Sequence, residues 1–194
     1  MAKQLLEEDG WGDSNNDGTL DKIIDGEQVD FTIEIMHNAG NERRSKMCLM
    51  FREEAEKIGI RVNIVPEQWA NFLDKTKKHE FEMYTGGWIS SVTESDPKQI
   101  WHTDSYNDGS NYVGFGDAES DKLIEDLRKE LDITKRAEYY KKLQVILHEQ
   151  APYIFLYVAK ERIAIHKRFE NAYGTPQRPG YWRGGFRLAE SVTK

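Results

Sequence analysis

Three short apolar runs, at residues 31–36, 61–65 and 81–84, are separated by two stretches of helical periodicity, and this alternation restricts the fold more than any other feature. Phe31-Thr32-Ile33-Glu34-Ile35-Met36 alternates apolar with polar residues, which predicts a strand with one buried face, ended by His37-Asn38-Ala39-Gly40. Between residues 41 and 58, Met47, Met50, Phe51, Ala55 and Ile58 recur at helical spacing, and Gly59 supplies a stop. Arg61-Val62-Asn63-Ile64-Val65 predicts a second strand closed by Pro66, followed by a helix with Trp69, Phe72, Leu73 and Thr76 on one face. Phe81-Glu82-Met83-Tyr84 completes a βαβαβ order. Crossovers of this length predict parallel pairing with right-handed connections. The ends His37-Asn38, Pro66-Glu67 and Gly86-Gly87-Trp88 then share one edge. Two glycines there leave bare backbone beside one large ring, and ligands of open α/β sheets bind at such ends.

At 194 residues and 38% hydrophobic content, the chain can bury one sizeable core, or one core and a small annex. Lys and Arg number 27 against 34 Asp and Glu, and the net charge of -7 argues against a nucleic-acid partner. No run approaches the roughly 18 apolar residues of a membrane helix. The single Cys48 excludes an intrachain disulfide and a cysteine-rich zinc site, and is expected as a small hydrophobe on a helix face. His37, His79, His102, His148 and His166 are scattered without paired ligand spacing. The opening Met1-Ala2-Lys3-Gln4-Leu5-Leu6 has no apolar signal core and leads into a short helix ending at Asp9-Gly10-Trp11, as expected for the interior of a longer protein.

Asp13, Asn15, Asp17 and Asp21 fall at the alternate oxygen positions of an EF-hand-type loop, with Gly18 at the sharp turn. The closing glutamate is absent, since position twelve is Ile24. Two readings stay open: a calcium site, or a solvated turn rich in Asx residues. Calcium is the one cofactor the sequence suggests.

Residues 89–116 form a long segment of little periodicity that holds Asp96-Pro97 and Trp101-His102, and its aromatic content argues for an ordered, ligand-facing or lobe-bridging role. Asp117 and Asp132 are expected to cap two helices, through Ile124, Leu127 and Leu131 and through Tyr140, Leu143 and Leu147, with Pro152 ending the pair. Residues 153–158 and 162–165 predict two strands, the first buried on both faces. From Phe169 onward the glycine-, proline- and arginine-rich tail offers no core of its own.

The order of these motifs resembles the C-terminal portion of the family 5 extracellular solute-binding proteins, the peptide and nickel receptors of ABC importers. The resemblance rests on Leu5-Leu6 leading to Gly10-Trp11, Asp17-Gly18, Lys57-Ile58-Gly59-Ile60, Gly87-Trp88 and Asp96-Pro97. Further along it rests on Ser110 to Phe115, Asp132 with Arg136 and Tyr140, and Ala151 to Leu156. It implies an α/β fold of the type II periplasmic-binding-protein kind, with residues 1–150 as the second lobe and 151–194 as strands and tail returning toward an absent N-terminal lobe. A peptide or other small polar solute would lie between the lobes and pass to the permease. Location would be periplasmic or extracytoplasmic, with a signal peptide and often a lipid anchor in the full-length protein. The ligand segment maps onto Gly87, Trp88, Ser90 and Ser91, with Asp96, His37 and Asn38 as further candidates. Where peptide-binding members carry an aspartate for the free amino terminus, this chain has Ser90-Ser91, with Glu94 and Asp96 later. No enzyme is expected. Ser90-Ser91 near His102, or Glu94 near Asp96, are the nearest to a catalytic pair and lack a nucleophile elbow, so a non-transport interaction domain and then a hydrolase are the alternatives.

Overall fold

The computed structural model describes residues 1–89, 94–160, 162–175 and 180–189. They form two units, Met1–Gly87 with Asp104–Gly114, and Trp88–Thr103 with Phe115–Lys194. These units do not coincide with the expected division after residue 150.

The first unit opens with α1 (Ala2–Glu8) and an antiparallel hairpin of β1 (Asp21–Ile24) and β2 (Glu27–Asp30). Ile24 faces Glu27, and the two residues between them, Asp25 and Gly26, both have positive φ, the backbone a tight hairpin turn requires. Next come β3 (Thr32–Asn38), α2 (Glu42–Glu56), β4 (Arg61–Glu67), α3 (Trp69–Lys77) and β5 (Met83–Tyr84). The sheet has the order β4-β3-β5 with both pairings parallel, as the βαβαβ pattern predicts. Pro66 lies in an edge strand, where its missing N–H costs no ladder bond to a second neighbour.

Three expectations need correction. β3 has more than one buried face: Ile35, Met36 and His37 are buried in succession, because this strand is central and is packed by both α2 and α3. On α2, Ala55 is buried and Phe51 packs against the same cluster as expected, joined by Cys48, whereas Met50 is 66% exposed. On α3, Phe72 and Thr76 are buried but Trp69 and Leu73 are largely exposed. The resulting core joins Ile35, Cys48, Ala55 and Val62, flanked by Phe51, Ile60, Ile64 and Met83. Burying a side chain such as Ile35 or Val62 is worth about 1.5–3 kcal/mol.

Cys48 has no exposed surface, and burial pushes its thiol up from the usual range while a weak interaction with Thr85 opposes this. The thiolate is the reactive form. An aromatic disulfide reagent is therefore expected to leave Cys48 unmodified at pH 8 until denaturant unfolds the chain, and rapid stoichiometric modification of the folded chain would contradict this placement.

Two short helices follow, α4 (Lys98–Trp101) in the second unit and α5 (Ser105–Asp108) in the first. The second unit is dominated by α6 (Ala118–Lys129) and α7 (Ile133–Gln150), which pack on each other and bury Ile124, Leu127, Leu143 and Leu147. Both caps form as predicted. Asp117 Oδ1 accepts from Glu119 N and Ser120 N while Ser120 Oγ accepts from Asp117 N, and Asp132 Oδ1 accepts from Thr134 N and Lys135 N. The left-handed Ala151 and then Pro152 end α7.

The Asp117 carboxyl is held below its ordinary value, chiefly by the Ser120 N–H. A depressed folded-state value means the cap's stability is present above the unfolded-state value near 4 and is lost as pH falls through the folded value. The loss of thermal stability from Asp117→Ala should thus be larger at pH 7 than at pH 3, and an equal loss at both would contradict the assignment.

The strands expected at residues 153–158 and 162–165 do not form among the described residues. Ile154, Phe155, Leu156, Tyr157 and Val158 are all more than half exposed, because a strand needs a ladder partner and none of the described strands pairs with this run. The tail differs from expectation in the other direction. β6 (Phe169–Glu170) pairs antiparallel with β7 (Arg187–Leu188), and Phe186 contacts the rings of Phe169 and Tyr181. Among the described residues, no helix is long and apolar enough to cross a membrane.

Candidate functional site

Parallel pairing carries the C-terminal ends of β3, β4 and β5 to one edge of the first unit. His37 faces Pro66, Asn38 faces Glu67, and Met36 faces Tyr84, after which Thr85 N donates to Met36 O at 2.9 Å. His37 itself is buried, with Nδ1 3.0 Å from Asn38 O, so it supports the edge from beneath. The Thr85 hydroxyl is also buried and makes no hydrogen bond of ordinary geometry. Asn38 is half-buried at the strand's end.

The side chain that organises this edge is one the sequence pattern does not single out. Asn41 caps α2, its Oδ1 accepting from Arg44 N at 3.1 Å, which places Arg44 in the first turn above the strand ends. Arg44 Nη1 donates to Asn38 Oδ1 at 2.7 Å, its guanidinium carbon stands 5.8 Å from the Phe72 ring centroid, and Nη2 lies 3.9 Å from where a Cβ on Gly87 would sit. A guanidinium is planar, permanently charged and suited to carboxylates. Gly87 keeps the backbone beside it uncovered. Nearby on the same edge, Lys75 is paired with Glu67, whose hydrogen bond raises the lysine's value.

In the second unit, Trp88 is 50% exposed. Ser90 and Ser91 lie outside the described residues. The segment after them is braced against α6 and α7. Asp96 Oδ1 accepts from Lys98 N at 3.0 Å and Oδ2 from Arg128 Nε at 3.1 Å; Glu94 pairs with Arg136; and Tyr140 Oη donates to Ser95 O at 2.9 Å. Arg128, Arg136 and Tyr140 thus clamp residues 94–96, and both Asp96 oxygens are engaged there. His102 is buried, facing Asp121 at 3.5 Å and Glu125 at 3.7 Å, and Lys98 holds Glu125 below its ordinary value.

The acidic loop of the first unit uses its side chains on its own backbone. Asp13 accepts from Asp17 N and Gly18 N, Asn15 from Asp17 N, Asp17 from Thr19 N, and Asp21 from Ser14 N and Oγ. The Thr19 N–H is the main reason the Asp17 carboxyl is lowered. Asn16 and Gly18 take the left-handed backbone of such turns. Among the described residues, no group of three or more His, Cys, Asp or Glu is placed to hold a metal ion.

The parallel sheet β4-β3-β5, with α2 and α3 packed on it, has the mixed α/β fold of the type II periplasmic binding proteins. The chain belongs to the bacterial extracellular solute-binding proteins, family 5, whose middle-region family model matches residues 1–111. This is a family of solute-binding proteins. The chain is 33% identical over 182 residues to the oligopeptide-binding protein AppA of Bacillus subtilis, covering 93% of this chain and 33% of AppA. It is 30% identical over 154 residues to heme-binding protein A of Haemophilus influenzae, covering 79% of this chain and 26% of that protein. The crystal structure of Bacillus subtilis AppA in complex with a nonapeptide superposes with a TM-score of 0.83 at 32% identity, over 97% of this chain and 37% of AppA. The chain therefore spans between about a quarter and a third of the length of these curated relatives.

Proposed function

We propose that this chain is a lobe of the substrate-binding component of an ABC importer, which takes up an oligopeptide or another small polar solute outside the cytoplasm and delivers it to a permease. The observation that carries the reading is the edge where Asn38, Arg44 and Gly87 meet, in a chain that matches nonapeptide-bound AppA over almost its whole length. In this reading Asn38, Arg44, Gly87 and Trp88 contact the ligand, Ser90 and Ser91 extend the contact, and His37 and Asp96 hold the contacting segments in place. The exposed run at residues 154–158 is then the stretch covered by an N-terminal lobe, and the longer protein is periplasmic or held at the outer membrane face by a lipid anchor. No catalysis belongs to this role. Bound ligand is released unchanged. The test is calorimetric titration of the longer protein with a nonapeptide, followed by mass spectrometry of the recovered peptide. Saturable binding with the peptide intact is the expected result, and absent binding or cleaved peptide would overturn the reading.

A further inference from the structure

The ring of His79 sits just past the end of α3 with each nitrogen on a main-chain carbonyl of the Asp104–Gly114 segment. Nδ1 is 2.9 Å from Tyr112 O and Nε2 is 3.1 Å from Tyr106 O. The ring also stacks on Tyr106, with centroids 3.8 Å apart and planes 11° from parallel. A carbonyl oxygen only accepts, so each contact needs an N–H on the imidazole. Neutral imidazole carries one such N–H and imidazolium carries two. We propose that His79 is a pH-sensitive clasp, which as imidazolium fastens residues 106–112 to the end of α3 through two donated hydrogen bonds and loses one of them on deprotonation.

The two acceptors are preset by the fold around them. Asn111 is fully buried and its N–H donates to Ser105 O at 3.2 Å, while a Cβ at Gly109 would fall 2.5 Å from Ser105 Cβ. This tight loop fixes where the Tyr106 and Tyr112 carbonyls stand. On the other side, His79 adopts a left-handed backbone, φ 59°, rarely taken by residues with a side chain, in the turn closed by His79 N to Thr76 O and Glu80 N to Lys75 O. Of the charged groups along these segments, Lys75 is paired with Glu67 and Lys78 with Asp74, Glu80 follows the ring in the turn, and Asp104 and Asp108 are the N-cap and the last residue of α5. The second donated hydrogen bond exists only while the ring is imidazolium, so it is present at the acid end and is lost as pH rises through the range in which histidine changes charge, between about pH 5 and 8.

The test is ring nitrogen NMR of His79 in the full 194-residue chain, together with thermal unfolding of the chain and of His79→Gln, whose amide offers a single donor nitrogen. Both ring nitrogens are expected to carry imidazolium shifts near pH 6. From about pH 5.5 to 8 the melting temperature of the unsubstituted chain should fall relative to His79→Gln by about 3–6 °C. A neutral-tautomer pattern near pH 6, or a melting difference that is the same at both pH values, would overturn the proposal. If His79→Gln does not fold, the nitrogen shifts decide alone: imidazolium persisting at a pH where the histidines of the denatured chain are neutral supports the clasp, and a neutral ring there refutes it.

Discussion

Ile35→Ala is expected to destabilise the first unit by about 2–5 kcal/mol, the usual cost of truncating a fully packed aliphatic side chain. Ile35 is 4% exposed, sits in the middle of the central strand opposite both Ile64 and Met83, and belongs to the cluster with Cys48, Ala55 and Val62. With neighbours on three elements, the cavity left by truncation has few ways to collapse. Total stabilities of about 5–15 kcal/mol make this a large fraction of what holds a domain together. Met50→Ala is the control, since Met50 projects into solvent from α2, the helix that brings Cys48 and Ala55 to this cluster, and should change stability by less than about 0.5 kcal/mol. Urea denaturation followed by far-ultraviolet circular dichroism measures both, and similar effects for the two would show that α2 buries a different stripe.

The second large effect is on binding. In the longer protein, Arg44→Ala is expected to weaken nonapeptide affinity by about 1.5–3 kcal/mol, roughly tenfold or more, because it removes a charged donor from the sheet edge. Arg44→Lys should recover only part of this loss, since an ammonium lacks the planar fork that also binds Asn38. Trp88→Ala should weaken binding by about 1–3 kcal/mol through lost apolar area and stacking. Calorimetry reads all three. Unchanged affinity in Arg44→Ala would remove the arginine from the site.

Much of the scaffold behind this edge could be read from residue order. Strand, helix, strand, helix, strand, with crossovers too long for hairpins, left parallel pairing as the consistent arrangement, and Asp117, Asp132 and Pro152 marked helix boundaries through local chemistry that needs no distant partner. What depended on distant partners was harder to read. Ile33 and Ile35 alternate with polar residues like a half-exposed strand, yet β3 is central, and nothing within residues 31–38 reveals that two helices cover it. On α2 the expected face holds Phe51 and Ala55, which do pack against the sheet, and also Met50, which does not; its apolar length resembles that of a core residue, while the smaller Cys48 is the one that fits. The apolar run 153–158 has strand composition, but among the described residues no strand pairs with it. Asp25-Gly26 is the dipeptide a two-residue hairpin favours, so the β1–β2 turn is legible in the sequence.

The site shows the same division. Gly87 and Trp88 stand out because glycines end an apolar run before a large aromatic. Arg44 does not, because it is one of several cations near the start of a helix, and its role comes from contacts to Asn38, Phe72 and Gly87 that only the fold creates. Asp96 looked like a ligand group through its charge and place after Gly87-Trp88, while the structure gives its oxygens to Lys98 and Arg128. The EF-hand-like spacing of Asp13, Asn15 and Asp17 suits a turn stapled by its own N–H groups, because such turns and calcium loops both need short oxygen-bearing side chains near a left-handed backbone.

Hydrogen–deuterium exchange of the longer protein, with and without saturating nonapeptide, asks most directly whether ligand sits at the carboxyl ends of these parallel strands. The expected result is slowed exchange across residues 38–44 and 85–89, with the hairpin at residues 21–30 unchanged. Saturating peptide that leaves both of those segments unprotected, while protecting other parts of this chain, would contradict it.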